Sequence, residues 1–179
     1  MIEIAVIAGP AGVGKTTVAH EVSLQLRTAS VPHAVIDTDG LDDVFPVPED
    51  QRRLTEHNLA HVWSAFRAHG AERLLLTGVY LHRPQELEWI NRATAADRVV
   101  LVELTAPDAI LEERVARREI GSGGPSQLER TAVQAQRLAA ERSSNTMLVQ
   151  TGDRSVSAVA SEIVALLGWS LRGPGDTWV

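Results

Sequence analysis

The chain has 179 residues, of which 44% are hydrophobic and 4% aromatic, and its formal net charge is −6. This length predicts a single domain with one core built mainly from Ala, Val, Leu and Ile. The absence of cysteine excludes disulfides, thiolate metal sites and cysteine nucleophiles. The lack of cysteine also leads us to expect a cytoplasmic protein. Because the negative charge argues against broad nucleic-acid binding, we expect a small-molecule partner.

The amino-terminal segment combines an apolar run with a glycine-rich loop. Residues 1–8 are typical of a strand that is buried on both faces, and they are too few to span a bilayer. Since they lead directly into the loop, we expect neither a signal peptide nor a membrane anchor. Residues 9–16 match the phosphate-loop pattern G-x-x-x-x-G-K-[ST] at every fixed position. Apolar spacing then predicts a helix from about Gly14 to Arg27 or Thr28, and this order favours a phosphate loop over a chance turn.

The loop contains Lys15, the only lysine among the 17 Lys and Arg residues of the chain. A compact ammonium suits the wrapping of phosphate better than the planar fork of Arg does. In such loops backbone N–H groups converge on phosphate oxygens, and the following helix adds the positive end of its dipole. The pattern predicts that Lys15 reaches the β- and γ-phosphates of ATP and that the Thr16 hydroxyl ligates Mg²⁺.

The rest of the chain alternates between strand and helix patterns. Further strands are predicted at residues 32–37, 72–78, 97–104 and 147–150, and further helices at residues 50–69, 84–95, 107–119, 127–142 and 156–167. A tail over residues 169–179 contains two Trp residues that either cap the core or mark an association surface. The alternation predicts an α/β fold with a parallel sheet and helices on both faces, whose ligands bind at the carboxyl ends of the strands.

Two carboxylates, Asp37 and Asp39, end the second predicted strand. At the edge that also carries the phosphate loop, Asp37 could hold Mg²⁺ through water, and Asp39 could accept a hydroxyl proton or fix a substrate hydroxyl. Local capping of a turn is the alternative, and the neighbouring loop favours the functional interpretation. After the third strand, Gly78 either lets a substrate approach the backbone or serves a simple turn, and His82 and Arg83 could reach the cleft.

Three arginines, Arg114, Arg117 and Arg118, lie within about one turn of the helix after the fourth strand. Their spacing lets them project from one face toward a nucleotide, where guanidinium groups stack on adenine or neutralise a phosphoryl group in transfer. The alternative is a solvated face that pairs with neighbouring glutamates. Glycines at residues 121–124 favour a mobile lid over about residues 115–130.

The acceptor pocket is expected within residues 41–66 and 79–92. Trp89 either packs or lines this pocket, and Arg52, Arg53 and Arg67 are either surface charge or contacts for an anionic acceptor. His57 and His61 are one helical turn apart, but no acidic ligand or Cys completes a metal site, so we interpret them as structural.

With these motifs in order, the chain resembles the small P-loop kinases, the group of shikimate, gluconate and nucleoside monophosphate kinases, over about residues 1–168. The resemblance implies one three-layer P-loop domain over residues 1–179, with a five-stranded parallel sheet of order 2-3-1-4-5. It also implies transfer of the ATP γ-phosphoryl group to a small acceptor under a closing lid. The chain lacks a triple-glycine acceptor motif and an Arg-Pro lid signature, so the acceptor is not predicted to be shikimate; chloramphenicol phosphotransferases share the architecture.

The resemblance also implies roles for individual positions. The residues around the phosphates would be Gly9, Ala11, Gly12, Val13, Gly14, Lys15, Thr16 and Thr17, with Thr16 and Asp37 supporting Mg²⁺. Asp39 would meet the acceptor hydroxyl. Arg114 and the backbone at Gly152 would contact adenine, and Arg117 or Arg118 would be the lid arginine.

The leading hypothesis is therefore an ATP- and Mg²⁺-dependent kinase, monomeric or homodimeric, that moves the γ-phosphoryl group to a hydroxyl or a phosphate of a small molecule. The alternative is a non-catalytic or regulatory nucleotide-binding module. A GTPase-like switch would need an Asn-Lys-x-Asp motif to read guanine, and the single lysine already lies in the phosphate loop.

Overall fold

The computed structural model describes residues 1–118 and 133–169. Most of the predicted lid, including the glycines at 121–124, lies outside the described residues, as does the tail from residue 170 onward. Within the described part, no helix has the length and apolar character needed to cross a membrane.

The centre of the fold is a five-stranded sheet. Its strands are β1 (Glu3–Ala8), β2 (Ala34–Asp37), β3 (Arg73–Gly78), β4 (Arg98–Thr105) and β5 (Met147–Gln150). All neighbouring pairs are parallel and the order is β2-β3-β1-β4-β5, which confirms the predicted topology. β1 is therefore the middle strand, and the loop that follows it opens at the centre of the carboxyl edge.

Helices connect the strands and cover both faces of the sheet. They are α1 (Lys15–Thr28), α2 (Gln51–Ala68), α3 (Pro84–Thr94), α4 (Asp108–Arg118), α5 (helical residues 133–140) and α6 (Val156–Leu167). A short 3-10 helix, Thr38–Gly40, follows β2. Where the described residues contain them, the predicted ends lie within two residues of these bounds. The start of the predicted helix 127–142 lies outside the described part.

Side chains that alternate along β1 build two separate cores. Ala5 and Ile7 pack into a cluster formed with α1, α4 and α6, whereas Ile4 and Val6 pack into a cluster formed with α2 and α3. This alternation gives the strand its uninterrupted apolar sequence, because both of its faces are covered by helices. Trp169 belongs to the first cluster, where its indole N–H donates to Glu3 Oε2 at 3.3 Å. It caps the core, which decides between the two predicted roles for this residue.

We predict that Leu75→Ala destabilises the fold by about 2–5 kcal/mol, because it leaves a cavity inside a packed core. Leu75 is 0% exposed on β3, and Leu24 on the outer face of α1 is 56% exposed. The matched control Leu24→Ala should change the free energy of unfolding by less than about 0.5 kcal/mol. Urea unfolding of both variants measures the difference, and equal losses would contradict the packing described above.

Candidate functional site

The glycine-rich loop, residues 9–14, joins β1 to α1 and contains two glycines in left-handed conformations. Gly12 has φ 78° and Gly14 has φ 98°. A Cβ atom at Gly12 would lie 2.8 Å from Val115 Cγ2 and 3.0 Å from Leu111 O, so this part of the loop is seated directly against α4. A Cβ atom at Gly14 would meet nothing within 4 Å, so the opposite side of the loop is open.

The amino terminus of α1 has no side-chain cap and no acidic residue in its first turn. In contrast, Asp50 caps α2 and Ser155 caps α6 through their side chains. No hydrogen bond within residues 1–118 and 133–169 uses the backbone N–H groups of Thr16 and Thr17. Uncapped N–H groups at the positive end of a helix dipole form a ready-made site for an anion.

Other N–H groups of the loop already have partners within the chain. The Gly9 N–H donates to Val79 O, the Ala11 N–H to Gln134 Oε1 and the Val13 N–H to Pro10 O, at 3.2–3.4 Å. These three residues were predicted to surround phosphates, and the structure uses their N–H groups to fix the loop. Among the described residues, the N–H groups of Gly12, Gly14, Thr16 and Thr17 have no partner and remain for an anion.

Two side chains at the start of α1 tie the loop to its surroundings. Lys15 Nζ donates to Gly9 O at 2.9 Å and to Pro10 O at 3.1 Å, which places the ammonium over the loop. The Thr16 hydroxyl donates to Asp37 Oδ2 at 2.8 Å. The end of β1 and the end of β2 are thereby joined through one direct hydrogen bond between the two predicted magnesium ligands.

Asp37 combines the two roles that its sequence position allowed. Its Oδ1 accepts from the Asp39 N–H at 3.2 Å and so caps the 3-10 helix, while its Oδ2 faces Thr16. Asp37 can therefore cap the 3-10 helix and contact the glycine-rich loop's helix at the same time, because one carboxylate oxygen accepts from Asp39 and the other from Thr16.

Asp39 follows at the open edge of the site, where several charges act on its carboxyl group. Partial loss of solvent raises the pKa of Asp39 above its ordinary value, Asp37 and Asp42 raise that pKa further, and Lys15 lowers it. The Asp39 carboxyl group therefore stays protonated up to a higher pH than the carboxyl group of an isolated Asp. Its pKa is thus closer to the pKa range that suits a proton acceptor.

Arg114 connects α4 to the turn after β5. Its guanidinium donates to Thr151 Oγ1 and Thr151 O, both at 3.2 Å, and to Gly152 O at 3.0 Å. Arg117 instead pairs with Glu113 at 2.6 Å, on an exposed helix face. That is the solvated pairing which the sequence allowed as the alternative, and the Arg118 side chain lies outside the described part of the chain.

A first cavity, of about 460 Å³, separates the loop and the start of α1 from the turn after β5. It is lined by Gly12, Val13, Gly14, Thr17, Val18, Arg114, Arg117, Thr151, Arg154, Val156 and Val159. Valines form its apolar wall and three arginines its polar side, which suits a base, a ribose and phosphates. Arg154 was missed in the sequence because it belongs to no motif, and it bonds to Gln150 O, Ala158 O and Glu162.

A second cavity, of about 410 Å³, lies on the other side of Asp39. It is lined by Thr38, Asp39, Asp42, Gln51, Arg52, Thr55, Val79, Tyr80, Leu81, Glu86 and Trp89. Trp89 both packs and lines the cavity, since it is 2% exposed and its indole N–H donates to Glu86 Oε2 at 2.6 Å. Sequence patterns gave no signal for Asp42, Thr55 or Glu86, because the wall is assembled from separate segments.

Three residues at the end of β3 have structural positions. A Cβ atom at Gly78 would lie 2.5 Å from Thr38 Oγ1 and 2.8 Å from Leu81 Cδ1, so close packing within the chain requires glycine there. His82 and Arg83 line neither cavity. Arg83 pairs with Glu141 at 2.7 Å and lies over the Tyr80 ring, with 3.7 Å between the guanidinium carbon and the ring centroid.

Buried His82 lies 3.6 Å from Glu103, which accepts two hydrogen bonds from Arg142 at 2.7 and 2.8 Å. Burial lowers the pKa of His82, although Glu103 opposes the shift. His57 and His61 stack on the surface with 4.2 Å between ring centroids. Throughout residues 1–118 and 133–169, no group of three or more His, Cys, Asp and Glu side chains forms a metal site.

The sheet order, the loop after its middle strand and the acidic end of β2 together define the P-loop fold of the small kinases. The chain belongs to the AAA domain family, whose sequence profile matches residues 4–143. Among curated proteins, none matches the chain.

Several solved structures share this fold. The gluconokinase of Sinorhizobium meliloti 1021 matches at TM-score 0.59 and 19% identity, over 93% of this chain and 91% of the gluconokinase. The Deinococcus radiodurans tunicamycin resistance protein matches at TM-score 0.63 and 18% identity, over 97% and 100% of the two chains. The shikimate kinase of Acinetobacter baumannii matches at TM-score 0.59 and 15% identity, over 96% of each chain. At these low identities, the structural matches show the fold alone.

We predict that Gly12→Ala destabilises the protein more than Gly14→Ala does. Both substitutions force an alanine into a left-handed conformation, at a cost of about 1–2 kcal/mol. Only the alanine at position 12 would also press against Val115 and the Leu111 carbonyl. Urea unfolding compares the two variants, and a smaller loss for Gly12→Ala would contradict the seating of the loop against α4.

Proposed function

We propose that the protein is an ATP- and Mg²⁺-dependent phosphotransferase that moves the γ-phosphoryl group to a hydroxyl of a small molecule. One observation carries the proposal: the Asp39 carboxyl lines the second cavity and is also near enough to the Lys15 ammonium of the glycine-rich loop for that charge to lower its pKa. A proton acceptor between a triphosphate site and a separate cavity is what transfer to a bound hydroxyl requires.

The nucleotide would occupy the loop and the first cavity. The uncapped N–H groups at the start of α1 would bind phosphate oxygens, with Thr17 near the α-phosphate and Lys15 at the β- and γ-phosphates. Arg114 and the backbone at Gly152 would flank the base. Arg117 or Arg118 would serve as the lid arginine, and Arg117 would have to leave Glu113 to do so.

Thr16 and Asp37 fit the magnesium ion that P-loop kinases use. Both present oxygen atoms, 2.8 Å apart, and Mg²⁺ in phosphate-transfer sites is held by one or two protein oxygens together with substrate phosphates. Thr16 would contact the ion directly and Asp37 through water. When bound, the ion supplies positive charge that neutralises the phosphates.

Transfer would proceed by attack of the acceptor hydroxyl oxygen on the γ-phosphorus. The new oxygen–phosphorus bond forms while the bond from the γ-phosphorus to the β–γ bridging oxygen breaks, and ADP leaves. The hydroxyl proton moves to the Asp39 carboxylate. Because this reaction depends mainly on positioning and charge, the protein would contribute by holding Lys15 and Asp39 near the transferred group.

We expect Lys15→Ala to abolish transfer and to weaken MgATP binding, since no other lysine is present to replace the ammonium. Lys15→Arg should remain strongly impaired, because the planar guanidinium does not fit a position that suits an ammonium. Isothermal titration calorimetry measures binding, and ADP release with phosphorylated product measures transfer. Arg27→Ala, at the far end of the same helix, is the control and should behave like the wild type. Unchanged MgATP affinity in Lys15→Ala would contradict the assignment of the loop.

Asp39→Asn should lower kcat by about 10²–10⁴-fold, as expected for loss of a general base, with little change in ATP affinity. The pKa of Asp39 is raised, so wild-type activity should fall as pH decreases through that raised pKa, at a higher pH than for an ordinary Asp. The Asn variant has no group to protonate there and should lack this acidic limb. Equal turnover in the variant would remove Asp39 from the mechanism. MgATP binding without transfer by the wild type to any acceptor would instead favour the non-catalytic nucleotide-binding module.

A further inference from the structure

Acidic side chains outnumber basic ones among the residues that line the second cavity. Three of them are carboxylates, Asp39, Asp42 and Glu86, and one is a guanidinium, Arg52. Arg52 donates to Glu86 Oε1 at 2.8 Å, and Glu86 Oε2 accepts from the Trp89 indole at 2.6 Å. The single cation of the wall is thus neutralised within the chain. An anionic acceptor, which would have given Arg52 a role, has no unpaired guanidinium to bind among the described lining residues.

The two remaining carboxylates have no bonded cation among the residues that the structure describes. Within residues 1–118 and 133–169, neither Asp39 nor Asp42 takes part in a salt bridge. Asp42 is nevertheless fixed in place, because its Oδ2 accepts from the Thr55 hydroxyl at 2.8 Å and Thr55 is buried on α2. A half-buried carboxylate that is held in position at a cavity wall is complementary to a positively charged group.

The segment that joins the 3-10 helix to α2 has the same sign of charge. Residues 41–50, which lead from the 3-10 helix to α2, include four acidic residues and no basic one. The nearby Arg83 is engaged by Glu141 and by the Tyr80 ring. A cavity with a negative potential at its entrance attracts cations and repels anions.

We propose that the acceptor is a hydroxylated amine, whose ammonium group binds Asp42 while its hydroxyl faces Asp39. The proposal rests on the function proposed above and names the substrate class of the same site. Trp89 and Leu81 form the apolar wall for the carbon skeleton. The amine stays protonated and does not react; only the hydroxyl exchanges its proton for the phosphoryl group. Hydroxy acids and phosphorylated acceptors are the substrates that this cavity disfavours.

Acceptors that share a carbon skeleton test this proposal directly. A suitable set is an amino sugar, its N-acetylated form, the neutral parent sugar and the corresponding sugar acid, each assayed for ADP release and for phosphorylated product by ³¹P NMR. Loss of one charge-assisted hydrogen bond corresponds to roughly 10- to 100-fold in kcat/KM, so the amino sugar should exceed its N-acetylated and neutral counterparts by that factor. The acid should be the poorest. Preference for the acid, or equal use of all four, would overturn the proposal.

The substitution Asp42→Asn removes the negative charge but can keep the hydrogen bond, because the amide oxygen can still accept from the Thr55 hydroxyl. The variant should raise the KM for the amino acceptor by about 10- to 100-fold and leave the KM for ATP nearly unchanged. Its KM for the neutral sugar should stay the same. Asp43→Asn is the matched control, since Asp43 is an exposed neighbour outside the cavity wall, and it should change neither KM. Equal losses for amino and neutral acceptors in Asp42→Asn would show that Asp42 has only a structural role.

Two failures remain distinguishable. Absence of transfer to every acceptor, with MgATP binding intact, would refute the proposed kinase function and this inference with it. Transfer that favours acidic or neutral acceptors would leave the kinase function standing and refute the amine alone.

Discussion

The N–H groups of Thr16 and Thr17 at the amino terminus of α1, which no hydrogen bond within residues 1–118 and 133–169 uses, are the constraint on which the site depends. Asp50 caps α2 and Ser155 caps α6 through their side chains, whereas α1, like α3, begins without a side-chain cap. Uncapped N–H groups are favourable only where solvent or an anion reaches them. Because β1 is the middle strand and its loop is packed against α4, these donors are held at the centre of the carboxyl edge.

Charge is divided across this edge in a way that matches two different ligands. Arg114, Arg117 and Arg154 line the first cavity, where phosphates and a base would lie. Carboxylates dominate the second cavity, and Asp39 stands between the two. A triphosphate and a cationic acceptor would therefore each meet the opposite charge and be guided to separate positions. The phosphoryl group would be transferred at the boundary between the two cavities, near Lys15 and Asp39.

The fold and the phosphate loop were predictable because their signals are local in the sequence. Each buried strand is a short apolar run, each helix has its own spacing, and the loop is one continuous motif before α1. Asp37 and Asp39 were found for the same reason, since they directly follow a strand. The match to the AAA domain family and the order of the sheet confirm the fold.

The second cavity could not be predicted in the same way. Asp42, Thr55 and Glu86 come from three segments that only the folded chain brings together, and each is an ordinary surface residue type in the sequence. Packing also decided what the sequence left open. Gly78 is required by the approach of Thr38 and Leu81. Arg117 takes the i, i+4 partner Glu113, as the solvated alternative predicts.

A crystal structure with Mg²⁺ and a non-hydrolysable ATP analogue would test directly whether the start of α1 binds the triphosphate. The account predicts phosphate oxygens within about 3 Å of the Thr16 and Thr17 N–H groups and of Lys15 Nζ, with the γ-phosphate facing Asp39 and the second cavity. A triphosphate bound away from the start of α1, or a γ-phosphate directed away from Asp39, would contradict it.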